Sequence, residues 1–394
     1  MSTTVSADGV GSSRPESRRF GDLITPALLL DRDRLRANAR RLARHVGGLG
    51  SVIRPHVKTH KCIDVAQDIV AAGHTRGITV STLKEAEYFF AHGFADIFYA
   101  VGISPNKFPP AADLLRRGCA LTVTLDTVEM ASQLAAYATA QAQSFRVLIE
   151  LDTDGHRSGT KPEGDELLKI ADAIHSGDFT ELAGVMTHAG ESYGCESADA
   201  QLAMARQERD RSLHAAMRLR EAGLPCPVVS IGSTPTAFAV DDLSGITEVR
   251  AGVYSTFDLV MANLGVCELS DIALSVLVTI TGYQKEKNWI ITDGGWMALS
   301  RDRGTASQSV DYGYGAVCTD SGEPLPLLMS GANQEHGIIS PADQGGVIAF
   351  EDYPLGRQLR ILPNHACATA AQYDCFQVLE SGRLSGSWAR ERGW

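Results

Sequence analysis

Short apolar runs of β-forming residues alternate with longer amphipathic stretches over the first two thirds of the chain. The runs that predict strands are residues 52–57, 77–81, 97–101, 121–125, 146–151, 182–188, 228–232 and 247–250. The stretches between them, such as residues 83–92, 128–142 and 201–221, are long enough for helices that cross over a parallel sheet. Eight strands in this order predict an α/β fold with a (β/α)8 barrel of the TIM type, and a doubly wound open sheet is the alternative.

Polar side chains occur where these runs finish. Lys58, Arg157, His188, Ser233 and Arg250 lie at or shortly after the ends of five different predicted strands. A (β/α)8 enzyme carries its active site on the loops that follow its strands, whereas an open sheet concentrates such residues at one switch point. The spread of these residues over several strand ends therefore favours the barrel.

The pattern changes after about residue 264. Gly, Asp and Asn turns now separate β-rich runs at residues 272–280, 289–292, 325–329, 347–350 and 359–362. Such runs, with no long helical stretch between them, predict an all-β domain at the C-terminal end of the chain.

One predicted strand is surplus to the barrel. It covers residues 25–30, and the helix after it has apolar Leu35, Ala39, Leu42 and Val46 on one face. We expect this N-terminal strand to join the β-domain. The predicted organisation is a disordered tail at residues 1–20, a β-domain made of residues 21–45 and 264–394, and a barrel at residues 46–263.

The composition is that of an ordinary soluble globular protein, with 394 residues, 44% hydrophobic and 21% charged. A net charge of −11 with scattered basic residues argues against a nucleic-acid partner. The first twenty residues have no apolar core, and no stretch approaches the roughly 20 apolar residues of a membrane helix. Eight scattered cysteines without a CxxC pair predict reduced thiols, so we expect a cytoplasmic enzyme with no membrane partner.

Lys58 lies in a basic segment, Arg-Pro-His-Val-Lys-Thr-His-Lys, at residues 54–61. A deprotonated lysine amine is a good nucleophile, and neighbouring cations favour that form. Arg54, His56, His60 and Lys61 are near enough in sequence to act in this way. A solvated basic loop is the alternative, and the segment alone does not decide between them.

His365 and Cys367 form a His-x-Cys pair in the C-terminal region. An imidazole and a thiolate at positions i and i+2 of an extended segment can bind one metal ion from the same side. Two buried structural residues are the alternative, because strong zinc motifs usually have four ligands. If a metal binds, thiolate plus imidazole fits Zn2+ better than Mg2+ or Ca2+.

Several short motifs occur together in one order along the chain. They are Thr-Pro at residues 25–26, Pro-His-Val-Lys at 55–58, the segment 152–159, Gly-Ser-Thr-Pro at 232–235 and Pro-Asn-His-Ala-Cys at 363–367. In this order they resemble the D-serine dehydratase and D-threo-3-hydroxyaspartate dehydratase group, from about residue 22 to the C-terminus. The resemblance implies a fold-type III pyridoxal phosphate enzyme with an alanine-racemase-type barrel, a β-domain and a homodimeric assembly.

The resemblance also implies roles for residues around the cofactor ring. Lys58 would be the Schiff-base lysine and the base, and Arg157 would lie beside the phenolic oxygen of the cofactor. Arg250 would point to the pyridine nitrogen, and His188 and Tyr193 would support the cofactor and the catalysis. From the residues alone, Arg157 could equally pair with a neighbouring aspartate, residue 152 or 154.

The phosphate of the cofactor would bind a second group of residues. By resemblance these are Gly232, Ser233, Thr234, Gly252 and Tyr254. Backbone N–H groups and hydroxyls after an apolar strand can bind a phosphate. A plain helix cap, with proline at the first helical position, uses the same residues of the Gly-Ser-Thr-Pro motif.

In the group that this chain resembles, the His-x-Cys pair binds a divalent metal next to the cofactor, which makes Zn2+ the expected ion and Mn2+ or Co2+ the alternatives. The implied reaction is β-elimination of water from a 3-hydroxy-D-amino acid, which gives a 2-oxo acid and ammonia. A related aldolase, which cleaves the Cα–Cβ bond, is the alternative, and a racemase is less favoured. Cys367 favours dehydration, because the aldolases typically have Asp at this position.

Substrate contacts are expected from Asp293, Gln334 and His336, which belong to polar clusters that match segments lining the active site of the group. A substrate with two carboxylates would need another cation. The candidates for that role are Lys161, Arg301 and Arg303.

Overall fold

The computed structural model describes residues 20–343 and 345–394, so the predicted tail at residues 1–20 lies outside the described residues except for Phe20. In chain order, the strands are β1 (Ala27–Asp31), β2 (Ile78–Val80), β3 (Asp96–Gly102), β4 (Ala120–Leu125), β5 (Phe145–Leu151), β6 (Thr180–Thr187), β7 (Val228–Ile231), β8 (Glu248–Val249), β9 (Leu274–Gln284), β10 (Trp289–Thr292), β11 (Ala316–Cys318), β12 (Pro324–Ala332), β13 (Gly337–Pro341), β14 (Gln358–Leu362), β15 (Cys375–Glu380) and β16 (Arg383–Ala389). The α-helices are α1 (Arg32–Gly48), α2 (Ile63–Ala71), α3 (Leu83–Ala91), α4 (Phe108–Arg116), α5 (Val128–Gln141), α6 (Glu166–His175), α7 (Ala198–Glu221), α8 (Thr234–Ala239), α9 (Leu259–Asn263), α10 (Trp296–Leu299) and α11 (Ala366–Ala370).

Strands β2 to β8 form a parallel sheet in sequence order, with helices between successive strands. Helices α3, α5 and α7 lie in the three stretches that the sequence predicts as crossover helices. Parallel strands joined by such helices bury both faces of the sheet, which explains the nearly continuous apolar burial along β4 and β5.

The predicted first barrel strand, residues 52–57, is present as a closing segment of isolated bridges. Ile53 bridges Val249 on one side and Thr75 on the other. The N–H of Arg54 donates to Val249 at 2.9 Å, and the N–H of Val57 donates to Thr79 at 2.9 Å. Proline at position 55 has no N–H to donate, which accounts for the interrupted ladder. The segment nevertheless joins β8 to β2, so the predicted barrel is confirmed.

The C-terminal strands form a second sheet in the order β10-β13-β12-β11-β14-β9-β1-β15-β16. An additional antiparallel pairing between β10 and β9 closes part of this sheet into a ring. Strand β1 runs antiparallel to β9 and parallel to β15, so the surplus N-terminal strand joins the β-domain as predicted.

Helix α1 leads from β1 back to the barrel. Its buried apolar residues include Leu35, Ala39, Leu42 and Val46, the face that the sequence predicts. Asp31 caps the helix by accepting a hydrogen bond from the N–H of Arg34 at 3.0 Å. The buried apolar residues of α1 belong to one hydrophobic core that runs through both the barrel and the β-domain.

One predicted strand is wrong. Residues 347–350 are not a strand, and Phe350 begins a single 3-10 turn that ends at Asp352. Val347 is 87% exposed, and the N–H of Ile348 donates to the Asn288 side chain at 2.9 Å, outside any ladder. This short apolar run therefore has the composition of a strand but no partner strand beside it.

None of the described helices combines the length and the apolar character that a membrane span requires.

Candidate active site

A cavity of about 400 Å³ lies where the barrel strands end and the C-terminal domain meets them. Its walls include most of the residues that the sequence predicts for the site, namely Lys58, Arg157, His188, Tyr193, Gly232, Ser233, Thr234, Arg250, Gly252, His365 and Cys367. The predicted cofactor and metal residues thus meet in one space, although more than three hundred positions separate the first from the last.

Lys58 is exposed to this cavity, on a turn that follows the closing segment. Three of the other four basic residues of the segment do not line the cavity, which corrects the expectation that all four act on Lys58 together. Arg54 is buried and pairs with Glu248 at 2.8 Å, and Lys61 pairs with Glu85 at 3.0 Å. Of these neighbours only His56 also lines the cavity, so the segment is not a solvated basic loop.

His188 follows β6 and is held by the backbone beside it. Its Nδ1 lies 3.0 Å from the carbonyl oxygen of Gly232. Burial, assisted by the positive charges of Lys58 and Arg157, lowers the pKa of His188 to about 3. The imidazole is therefore neutral, with its proton on Nδ1 facing the carbonyl. The ring of Tyr193, on the next turn, lies 6.3 Å away between ring centroids.

Arg157 lies at the mouth of the cavity and is 52% exposed. Its Nη2 is 4.0 Å from a carboxylate oxygen of Glu150. The alternative pairing with a neighbouring aspartate is not observed, because Asp152 accepts a backbone N–H from Gly155 at 2.6 Å and Asp154 accepts one from Glu191 at 2.9 Å. The guanidinium therefore lines the cavity with a long ion pair to Glu150 rather than a close aspartate partner.

Arg250 is buried in the cavity wall. Its Nη1 donates to the Ser230 hydroxyl at 2.6 Å, its Nη2 donates to the carbonyl of Thr187, and its guanidinium lies 5.5 Å from the ring centroid of Phe98. Burial lowers the pKa of Arg250 to about 10, so the group stays charged at neutral pH. These contacts fix a positive charge at one position in the wall.

The Gly-Ser-Thr-Pro motif turns from β7 into α8. Gly232 has φ of +133°, and a Cβ there would lie 2.2 Å from the carbonyl oxygen of Arg250, so only glycine fits. Ser233 caps α8, as the plain structural alternative predicts, and its hydroxyl lies 2.7 Å from that of Ser192. Thr234 differs, because its hydroxyl is buried at the cavity wall with no hydrogen-bond partner in the described chain. The motif thus carries a helix cap and, beside it, an unpaired hydroxyl.

Glu208, on α7, supports the Gly-Ser-Thr-Pro motif through hydrogen bonds to the backbone. Its carboxylate accepts the N–H of Gly232 at 2.9 Å and the N–H of Ala189 at 3.1 Å. Burial raises the pKa of Glu208 above its usual range. No sequence motif indicates this residue, since it lies in the middle of a long polar helix.

Gly252 and Tyr254 lie on the loop after β8. A Cβ on Gly252 would lie 3.3 Å from the carbonyl oxygen of His56, so this residue brings the loop close to the Lys58 segment. Tyr254 is buried at 1% exposure and does not line the cavity. It supports the loop from the core.

The His-x-Cys pair lies across the cavity from the barrel loops. His365 is the extended N-cap of α11, and Cys367 lies in the first turn of that helix, so the expected fully extended segment is wrong. The Cys367 sulfur is 3.1 Å from the Thr59 hydroxyl. Nδ1 of His365 is 2.6 Å from the carboxylate of Asp302. Because Nδ1 is bonded to Asp302, Nε2 is the nitrogen that could bind a metal, with release of its proton.

Contacts within the pair shift the pKa of each group in the direction opposite to the effect of burial. Burial alone would lower the pKa of His365, but its bonds to Asp302 and Cys367 outweigh burial and raise it to about 11. Burial would likewise raise the pKa of the Cys367 thiol, but the contact with His365 outweighs burial and lowers it. Among the described residues, no three His, Cys, Asp or Glu side chains form a ready-made metal cluster. The pair would therefore supply two protein ligands.

Two acidic residues of this region were missed from the sequence. Asp258 is buried and accepts the N–H of Ala366 at 2.9 Å, which holds the His-x-Cys segment in place. Asp302 lies between the two arginines proposed as substrate cations, yet it lines the cavity and they do not. Instead, Arg303 pairs with Asp311 at 2.8 Å and Arg301 stacks on Trp296. No local sequence signal indicates Asp302, because its partner His365 lies 63 positions away.

Three predicted substrate residues lie outside the cavity of this chain. Asp293 accepts hydrogen bonds from the Thr25 hydroxyl at 2.5 Å and from the Thr279 N–H at 2.7 Å, and so joins the N-terminal segment to the β-domain. Gln334 is exposed and bonds to its neighbour Glu335, and His336 is exposed as well. The geometry of a single chain brings none of the three to Lys58.

Comparisons with known proteins agree with this architecture. The alanine racemase N-terminal domain family matches residues 30–259, and the serine dehydratase domain family matches residues 273–379. D-threo-3-hydroxyaspartate dehydratase of Delftia sp. (strain HT23) is 51% identical over 375 residues, which cover 94% of this chain and 98% of that protein. D-serine dehydratase of Dictyostelium discoideum is 31% identical over 394 residues, which cover 95% and 98% of the two chains.

Solved structures are similar over nearly the whole chain. A cysteine-to-alanine mutant of D-threo-3-hydroxyaspartate dehydratase in the metal-free form has a TM-score of 0.94 at 50% identity, and the match covers 96% of this chain and 100% of that one. Alanine racemase from Bacillus anthracis has a TM-score of 0.67 at 16% identity, with 92% and 97% covered, a likeness of fold alone. The chain belongs to the family of proteins that combine an alanine racemase N-terminal domain with a serine dehydratase domain.

Proposed function

We propose that the chain is a lyase that removes water from a 3-hydroxy-D-amino acid, with pyridoxal phosphate and a divalent metal, to give a 2-oxo acid and ammonia. One observation carries the proposal: a lysine amine and an imidazole–thiol pair face the same cavity. The relatives named as D-threo-3-hydroxyaspartate dehydratase and D-serine dehydratase support the same reaction.

The cavity fits pyridoxal phosphate. The buried, unpaired hydroxyl of Thr234 and the glycine backbone of Gly232 are suited to the phosphate. Arg250 would face the ring nitrogen, Arg157 the phenolic oxygen, and neutral His188 with Tyr193 would support the ring. Pyridoxal phosphate, when bound, supplies a conjugated system that takes up negative charge from the substrate Cα.

The imidazole–thiol pair fits a divalent metal. A lowered thiol pKa at Cys367 favours the thiolate form, which metals bind, and Asp302 orients the His365 ring. Soft sulfur plus imidazole favours Zn2+, with Mn2+ and Co2+ as alternatives. A bound metal polarises the substrate hydroxyl and makes it a better leaving group, while the remaining coordination positions stay open to substrate.

Lys58 suits the role of the base. It lines the same cavity as the proposed phosphate loop and the metal pair, so it could both hold the cofactor and take the proton from the substrate Cα. His188 is neutral and hydrogen-bonded through Nδ1, which suits a support for the cofactor better than a proton carrier.

The substrate, assembly and location are also proposals. The relative with 51% identity favours D-threo-3-hydroxyaspartate over D-serine as the substrate. A homodimer would give Asp293, Gln334 and His336 a route to substrate through the cavity of a partner chain, and sedimentation analysis would test it. All eight cysteines are free, which fits a reducing compartment such as the cytoplasm.

The test of the cofactor assignment is Lys58→Ala. The variant is expected to lose the visible absorbance of covalently bound cofactor and all dehydration. Lys61→Ala is the matched control, because this lysine is in the same basic segment but pairs with Glu85. An unchanged cofactor spectrum in Lys58→Ala would refute the assignment of Lys58 as the residue that binds the cofactor covalently.

The substrate is tested by steady-state kinetics. The values of kcat/KM for D-threo-3-hydroxyaspartate, D-serine and D-threonine should be compared with and without a chelator. We expect the first substrate to be preferred and the chelator to abolish its turnover. Dehydration that survives complete removal of metal would refute the metal role of His365 and Cys367.

A further inference from the structure

Arg390, just after the last strand, is buried at 8% exposure and connects the Lys58 turn to helix α11. Its Nε donates to the carbonyl of His60 at 2.8 Å, and its Nη2 lies 3.4 Å from the carbonyl of Thr59. Its Nη1 donates to the carbonyl of Tyr373 at 2.7 Å and to that of Ala370. One guanidinium therefore binds two carbonyls of the lysine turn and two carbonyls at the end of α11.

The two segments that Arg390 joins are the two halves of the proposed chemistry. Thr59 follows Lys58 directly, and α11 has Cys367 in its first turn. The last carbonyls of a helix have no partner within the helix, so the guanidinium also caps α11 at the end opposite to Cys367. The main chain adds one more bond, because the N–H of Glu391 donates to the carbonyl of Lys61 at 2.8 Å.

The choice of arginine here is poorly explained by stability alone. The acceptors of its guanidinium are neutral carbonyls, and burial lowers the pKa of Arg390 to about 10. Its charge is partly offset by Asp374, which forms its ion pair with Arg392, and by the Phe376 ring, whose centroid lies 5.1 Å from the guanidinium. Apolar replacements of buried ionic groups are often tolerated. A planar group with five donors in fixed directions does, however, set the distance between two chain segments.

We propose that Arg390 is a positioning residue that holds the Lys58 turn and the His365–Cys367 segment in one fixed relation. Arg390 does not line the cavity, so it would act only through the two segments. Loss of the four guanidinium hydrogen bonds lets the two segments move apart, so the affinities for the cofactor and for the metal both fall. The inference rests on the proposed function for the roles of Lys58, His365 and Cys367.

The first test is amide hydrogen exchange of the cofactor-free, metal-free chain with Arg390→Met. The reporters are the N–H of Lys61, bonded to Val57, and the N–H groups of Thr369 and Ala371, bonded to His365 and Cys367. We expect exchange to accelerate at least tenfold in both segments. Acceleration in only one of them, or throughout the chain, would overturn the proposal.

Two controls separate positioning from general loss of stability. Arg392→Met alters the same C-terminal segment as Arg390→Met, but Arg392 is 49% exposed and pairs with Asp374. Arg32→Met removes an arginine that links α1 to Asp68 and stacks 4.9 Å from the Trp388 ring, away from the Lys58 turn. Both controls are expected to leave exchange in the two reporter segments within twofold of the native rate.

The second test measures binding. For Arg390→Met, the dissociation constants of pyridoxal phosphate and of Zn2+ are each expected to rise at least tenfold, with both controls within twofold of native. Arg390→Lys keeps the charge but cannot span both pairs of carbonyls, so an intermediate loss of affinity is expected. This variant replaces Arg390→Met in the test if Arg390→Met does not fold.

Faster exchange with native affinities would make Arg390 purely structural and refute the proposal. A native chain that binds neither ligand refutes the proposed function instead, while the exchange result still decides whether Arg390 holds the segments.

Discussion

Asp302 and His365 are joined by a hydrogen bond of 2.6 Å between a carboxylate oxygen and Nδ1 of the imidazole. Both residues line the cavity, and the bond fixes which ring nitrogen remains available. Histidines that bind metals commonly donate their other N–H to a carboxylate, which sets the orientation of the ring and strengthens its basicity. The pair has the arrangement of a metal ligand with its supporting carboxylate.

Asp302→Asn is expected to weaken metal binding about 10- to 100-fold, the usual effect of removing such a supporting carboxylate. The measurement is the Zn2+ dissociation constant by competition with a chelator. Asp311→Asn is the control, because Asp311 is on the same connection but pairs with Arg303. Native metal affinity in Asp302→Asn would show that Asp302 does not support the ligand.

Thr234→Val tests the unpaired hydroxyl at the proposed phosphate site. Valine has nearly the same shape and removes a buried polar group without a partner, so the cofactor-free variant should be as stable as the native chain or up to about 1 kcal/mol more stable. Pyridoxal phosphate should bind roughly 10- to 100-fold more weakly, since a hydrogen bond to a charged group contributes about 1.5–3 kcal/mol. Urea unfolding and absorbance titration measure the two effects.

Thr292→Val is the matched control for that variant, because its hydroxyl is also buried and unpaired but lies on β10, outside the cavity. It should change stability in the same direction and leave cofactor affinity unchanged. Pyridoxal, which lacks the phosphate, should bind both variants alike. Equal pyridoxal phosphate affinity in Thr234→Val and the native chain would contradict the phosphate assignment.

Glu208→Gln should change the pH dependence of stability. Burial raises the folded-state pKa of Glu208, so its contribution is fully present below the unfolded pKa of about 4.3 and is lost as pH rises through the folded value. Glutamine keeps an acceptor for the N–H groups of Gly232 and Ala189 but cannot ionise. Relative to the native chain, the variant should therefore gain stability as pH rises from about 4 toward 7, by up to about 1.4 kcal/mol per pH unit.

Glu163→Gln gives a control of opposite sign. Its hydrogen bond with Arg211 lowers the pKa of Glu163, so this carboxylate contributes stability above its unfolded pKa, and that contribution is lost as pH falls. The effect should be small, because Glu163 is 52% exposed. A difference between Glu208→Gln and the native chain that does not vary with pH would contradict the buried-acid account.

The sequence predicts the barrel because its strands and helices have clear periodic patterns. The places of Lys58, Arg157 and His188 at strand ends indicate a common site, while the roles expected of them come from the family resemblance. Residues whose roles depend on distant contacts are not predictable in this way. Asp302 acquires its role only through His365, 63 positions away, and Glu208 only through backbone groups of two strand ends. The failed strand at residues 347–350 shows the same limit, since an apolar run forms a strand only where a partner lies beside it.

Side-chain direction sets a second limit on prediction from sequence. Of the basic neighbours of Lys58, His56 shares its cavity, whereas Arg54 pairs with Glu248, Lys61 pairs with Glu85 on α3, and His60 lies near Arg390. Successive residues of an extended segment and its turn point to different sides. Local charge density around a lysine was therefore a poor guide to its surroundings. The order of motifs along the whole chain was a better one.

Product identification with D-threo-3-hydroxyaspartate tests the central claim most directly. The metal-loaded protein with pyridoxal phosphate should release oxaloacetate and ammonia, and Lys58→Ala and His365→Ala should each abolish both products. Release of glyoxylate and glycine would instead identify an aldolase, and recovery of an intact epimer would identify a racemase. Either of those results would contradict dehydration by this cavity.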